Sequence, residues 1–412
     1  MKRILSLLFL LGTLALFLPL FASCKDSGAV TLYVYNWGEY ISDGSEGSLD
    51  TNAAFEAWYE ETYHQKVKVN YSTYSSNEDM YAKLSTGAAS YDIVVPSDYM
   101  IARLIAEGLV RRLNFDNIPN IENIDLSAVF KGSAPYYDPE SAYSVPYTYG
   151  TVGIIYNTAM VDEDDIGSWD LMWNPKYKGN ILQFNNSRDA FATAQFKLGY
   201  SVNSANEAEW RAALAELKAQ KDIVQGYVMD EIFNKMESGS AAVSSYYAGD
   251  FLTMYADNDD LAFFYPKEGT NVFVDAMCIP TSSQNPEIAE RYIDFMLSRE
   301  AAIANAEYMC YASPNKLVTE DPEYHAYMEE IHEDAMDILY GTSEIPMEFY
   351  ENLSEEKLVM LNDLWEELKI ESPINVSIIV MAGVIVAALV GLGVFFAVRG
   401  YRRKKRVAGL WL

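Results

Sequence analysis

Residues 30–40, VTLYVYNWGEY, open as a β-branched apolar run and close on aromatic and acidic side chains. The run 30–35 reads as a strand, and the turn after it as a place where binding groups gather. Residues 67–71 alternate as a second strand. Ser76 then supplies an N-cap with Asp79 three residues on, opening a helix that Gly87 can close. Residues 91–95 (YDIVV) stop at Pro96-Ser97, and a helix over 100–107 ends at Gly108. Strand, helix, strand, helix at this spacing argues for an α/β layer on a mostly parallel sheet.

The same grammar continues down the chain. Strands are expected over 144–147 and 150–156, 241–247, 262–265 and 273–279. A capping box of Ser204 and Glu207 predicts a helix to about Gln220, and Asn285-Pro286 starts a long amphipathic helix. The acidic stretch 321–369 reads as mostly helical, with Ser354 capping its last member. No repeat interrupts this pattern, so two α/β lobes are the natural division.

The 412 residues are half hydrophobic and 22% charged, enough to fill two cores and too apolar for a disordered chain. The net charge is −29, and the two ends carry eight bases and no acid, which leaves about −37 on residues 25–373. Such a chain repels nucleic acid and favours cations. Residues 1–23 run from Lys2-Arg3 through an apolar stretch to Phe21-Ala22-Ser23, an export signal ahead of Cys24. An uncleaved anchor is the alternative. Residues 374–398 form a second apolar run without a charge, about 37 Å long as a helix and enough to cross a hydrocarbon core of about 30 Å. The RRKKR run at 402–406 places the tail 399–412 in the cytoplasm, so everything between the two runs is expected outside.

Catalytic and metal signatures are missing. His64, His325 and His332 are the only histidines, and no HExxH, GxSxG, P-loop or dinucleotide fingerprint occurs. His325 and His332, seven apart, suit a solvated helix better than a metal site. Cys278 and Cys310 are expected as free thiols, with pairing the alternative. Paired carboxylates of the glycosidase kind stay open, because acids are everywhere and pairing is spatial.

Aromatic residues beside carboxylates recur at the ends of the expected strands, where ligands of open α/β sheets gather. The strings YNWGEY (35–40), YSTYSSNEDMYAKL (71–84), YDIVVPSDY (91–99), WDLMWNPKYKG (169–179), YPKEG (265–269) and FVDAMCIP (273–280) closely resemble the spermidine/putrescine-binding family of bacterial ABC importers. The resemblance covers nearly all of residues 30–369. It implies an α/β, two-lobed periplasmic-binding-protein fold of type II, to which the apolar run adds a C-terminal transmembrane helix. The expected divisions are a signal sequence at 1–23, a linker at 24–29, lobe 1 at 30–146 and 272–313, and lobe 2 at 147–271. A helical segment at 314–370 packs on the lobes, followed by the transmembrane helix at 374–398 and the basic tail at 399–412.

Matching strings imply ligand contacts from Trp37, Gly38, Glu39, Tyr40, Ser97, Tyr99, Asp189, Tyr247, Asp250, Phe273, Asp275, Tyr311 and Glu351. Gly38 in place of a hydroxyl residue, Asn186 of an Asp and Tyr247 of a Trp leave the ligand class intact and its chain length open. The resemblance implies capture of putrescine or spermidine outside the cell and delivery to permease subunits with their ATPase. Cys24, lipidated as in bacterial lipoproteins, and the apolar helix would tether the protein. No enzyme activity, cofactor, metal or nucleic acid is implied. The alternatives are a same-fold binder of another small cation or amino acid, then an exported hydrolase. The residue types fit a polyamine: buried ammonium groups require carboxylates, and ring faces shelter methylenes and attract cations.

Overall fold

A computed structural model describes residues 28–370 apart from 88, 131, 133 and 342–344. Strand β1 (Val30–Trp37) lies between β2 (Val67–Tyr74) and β3 (Ile93–Val94), parallel to both. Its interior position explains the apolar run. Edge strand β2 instead alternates, with Val67 and Val69 buried and Lys68 and Asn70 exposed. Helices α1 (Thr51–Tyr63), α2 (Asn77–Ser85) and α3 (Asp98–Ala106) fill the connections. Ser76 caps α2 through the Asp79 amide, as its spacing predicts.

Strand β4 (Ser144–Asn157) is longer than expected, because one continuous strand serves two sub-sheets. Its first half pairs antiparallel with β9 (Thr270–Cys278), which joins β3. Its second half lies between β7 (Val243–Tyr247) and β8 (Leu261–Phe264), antiparallel to both. Beyond β7 come β5 (Ile181–Phe184) and β6 (Val224–Val228), again parallel. The mostly parallel sheet therefore exists only in its outer parts; the shared centre is antiparallel. Every residue of β9 is buried, as expected of a strand covered on both faces.

The second sub-sheet carries α4 (Ser187–Lys197), α5 (Glu207–Lys221), α6 (Glu231–Glu237) and α7 (Ala248–Asp257). The cap of α5 is Asn206 rather than Ser204, whose hydroxyl turns to Glu209 instead. The long helix expected after Pro286 is two helices, α8 (Pro286–Met296) and α9 (Arg299–Met309). Leu32, Val34, Phe55, Val145, Met277 and Tyr292 belong to the core shared by the first sub-sheet and these helices. The acidic stretch gives α10 (Pro322–Ile331), α11 (Ala335–Tyr340), a two-residue strand β10 (Met347–Glu348) on β9, and α12 (Glu355–Lys369). Taken by itself, α12 buries Leu361, Leu364 and Leu368 at helical spacing.

One part of the expected fold class is corrected. Among its described residues the two-lobed α/β fold contains no helix long and apolar enough to cross a membrane. The run 374–398, the tail 399–412, the signal 1–23 and Cys24 lie outside the described residues. Cys278 and Cys310 are buried free thiols. His325 bonds the Thr319 carbonyl and His332 packs on Phe251 and Tyr255; no metal-holding cluster occurs among the described residues.

Candidate functional site

Parallel strands on both sides of β4 and β9 point their carboxyl ends at one cleft of about 840 Å³, counting its open mouth. Trp37, Gly38, Glu39 and Tyr40 enter it after β1, Ser97 and Tyr99 after β3, Asp189 after β5, and Tyr247 and Asp250 at the end of β7. Phe273 and Asp275 come from β9, and Tyr311 follows α9. Twelve of the thirteen expected contacts thus line one cavity. The exception is Glu351, which is exposed; its neighbour Tyr350 is buried and forms the wall.

The aromatic walls are held from behind. Trp37 donates its indole N–H to the Val95 carbonyl at 3.0 Å and tilts against Tyr74, which donates to the same carbonyl at 2.6 Å. Tyr247 meets Phe273 edge-on at 5.4 Å, and Tyr40 meets Tyr311 likewise at 5.1 Å. These rings fix a slot between the lobes.

Carboxylates dominate the charged groups of the lining: Glu39, Glu78, Asp189, Asp230, Asp250 and Asp275, with Arg188 as the only base among the lining residues. Asp275 is 4% exposed; Tyr40 donates to its Oδ2 at 2.7 Å, while its buried Oδ1 has no hydrogen-bond partner. Burial raises its pKa to about 6, against the lowering effect of the Ser97 and Tyr40 hydroxyls and with a smaller rise from the charge of Asp189. Asp250, in the first turn of α7, accepts from Tyr311 at 2.9 Å. Burial first, then the charges of Asp230 and Glu39, push it to about 8. Glu39 and Asp230 keep much of their surface in solvent, and partial desolvation, followed by neighbouring carboxylates, raises the pKa of both.

Two glycines stand where the walls approach each other. A Cβ on Gly38 would come within 2.6 Å of Asp230 Oδ2, a contact that a turn of the exposed Asp230 side chain can relieve. A Cβ on Gly249 would stand 2.5 Å from the Tyr311 ring. Gly249→Ala is therefore expected to swing Tyr311 off Asp250 and weaken ligand binding about tenfold, in line with one lost hydrogen bond to a charged group. Titration calorimetry checks it, and unchanged affinity would contradict this role for Gly249.

Several lining residues were not anticipated from sequence. Asn77 opens α2 and bonds both the backbone N–H and hydroxyl of Ser97 and the hydroxyl of Tyr99, fixing that wall. Glu78 accepts from Tyr99 at 3.0 Å. Asp230, Phe233 and Tyr350 reach the cleft only through the approach of distant segments. Asn77 and Glu78 lie within the string 71–84, just after the cap Ser76, and that position is the signal that points to them.

The family description bacterial extracellular solute-binding protein matches residues 53–330. The spermidine/putrescine-binding periplasmic protein of Salmonella typhimurium is 35% identical over 286 residues, which is 69% of this chain and 78% of that relative. A solved structure from Listeria monocytogenes is 33% identical, with TM-score 0.72, covering 83% of this chain and 99% of the other. The spermidine/putrescine ABC transporter substrate-binding protein of Streptococcus pneumoniae is 32% identical, with TM-score 0.63 over 83% of this chain and 99% of that one.

Proposed function

The chain belongs to the bacterial extracellular solute-binding proteins, and from that membership we infer that it captures polyamines, putrescine or spermidine, in the interlobe cleft outside the cytoplasm and delivers them to an ABC permease. Its role is binding rather than catalysis, as in its relatives. The observation that carries this reading is the buried Asp275 Oδ1, an acceptor without a donor, in an aromatic-walled cleft with six carboxylates against one base. A buried carboxylate oxygen without a donor is costly, and an ammonium group supplies both charge and hydrogen bond. Lobe 1 is assigned to 30–146 and 272–313 and lobe 2 to 147–271, a division supported by the passage of β4 and β9 through the junction. The segment 314–370 is assigned as a helical addition that brings Tyr350 to the cleft.

Twelve of the named residues are assigned as ligand contacts, with Tyr350 in place of Glu351. Putrescine and spermidine are expected to raise the melting temperature of the purified protein, since a ligand at a hundred times its Kd stabilises by about 2.7 kcal/mol. Glutamate and glucose are expected to leave it unmoved. Stabilisation by either of those, with none from any amine, would reject polyamine capture.

A further inference from the structure

The acceptors of the cleft are not equally free, and the difference bears on ligand length. Asp189 is saturated: its Oδ1 accepts from Tyr350 at 2.8 Å, and its Oδ2 from Tyr247 and from Asn186, each at 2.7 Å. Beside it lies a built-in cation. The Arg188 guanidinium, 4% exposed, sits 4.4 Å from the centre of the Tyr350 ring and 5.1 Å from that of Tyr99. Asp275 keeps Oδ1 without a partner, and Asp250 is engaged through Oδ2 alone. Glu39 and Asp230 are solvent-exposed, where an ion pair contributes little.

Tyr350 is itself clamped. Its carbonyl accepts from Tyr136, and the neighbouring Phe349 carbonyl accepts from Asn203 in the connection between α4 and α5, so this strap is fixed at two points. We propose that Tyr350 and Arg188 close the Asp189 end of the cleft and make the protein a receptor for a linear diamine, held by Asp275 and Asp250, in preference to a triamine. This rests on the polyamine reading of the site. At this end a third ammonium would meet the Arg188 charge, find Glu78 already accepting from Tyr99, and compete with two tyrosine hydroxyls for Asp189. Like charges in a region withdrawn from water repel strongly.

The test is calorimetric titration of the purified protein with putrescine and spermidine, read as the ratio of the two Kd values. Putrescine is expected to bind at least tenfold tighter. Tyr350→Phe, which frees Asp189 Oδ1 and keeps the ring, and Arg188→Gln, which removes the built-in cation, are each expected to shift the ratio at least fivefold toward spermidine. The ratio is insensitive to the fraction of a variant that folds. Equal or tighter spermidine binding by the unmodified protein, or an unchanged ratio in both variants, would overturn the diamine preference while leaving polyamine capture intact. Binding of neither amine would remove both.

Discussion

Asp275→Asn is expected to lower putrescine affinity by two to three powers of ten and to raise the melting temperature of the ligand-free protein. The carboxylate is buried and lines the cleft, Tyr40 donates to its Oδ2, and its buried Oδ1 has no donor within hydrogen-bond geometry. Removing one partner of a buried ion pair costs about 3–5 kcal/mol, and each 1.4 kcal/mol is tenfold in Kd. An asparagine amide offers an oxygen but no charge, so the ammonium would be buried uncompensated. In the empty cleft the sign reverses, because the substitution removes an ionised group that burial disfavours. Titration and melting of the same preparation check both halves, and a variant that binds normally would show that the ammonium lies elsewhere.

Affinity is also expected to fall steeply on acidification. Asp250 titrates at about 8 and Asp275 at about 6 in the empty cleft, whereas an alkylammonium group stays charged to about pH 10. Above pH 8 both carboxylates are ready for ligand. Between pH 8 and 6 binding must expel the Asp250 proton, which weakens it about tenfold per pH unit; below 6 the Asp275 proton adds a second factor. Stability of the free protein runs the other way. Both pKa values lie above the unfolded value of about 3.9, so their contribution is fully present below that pH and is lost as pH rises through 6 and then 8. The free protein is thus expected to melt lower at pH 8 than at pH 5, with a larger ligand-induced gain at pH 8. A Kd constant from pH 5 to 8 would refute these assignments.

Most of the cleft was legible because its residues follow strands whose pattern is local. Trp37 to Tyr40, Ser97, Tyr99 and Asp250 each sit one loop or one helical turn beyond an apolar run. Glu351 missed the wall by one position, since in the irregular stretch after β10 no period says which side chain turns inward. Asp230 and Arg188 were hidden for a different reason: their roles depend on Gly38 and Tyr350, which are distant in sequence. The single helix expected after Pro286 breaks at Leu297-Ser298, where neither glycine nor proline marks the stop. The antiparallel centre was equally invisible, as strand composition does not state direction.

Strand β4 gives half its length to each sub-sheet, and β9 reaches it from more than a hundred residues away, Ser144 pairing with Cys278. Neither half of the molecule can finish its hydrogen-bond ladder until both chain passages have met. Such non-local closure is slow. Denaturation should therefore proceed as one cooperative event rather than as two separable melts, and recovery from denaturant should lag behind that of helical proteins of similar size.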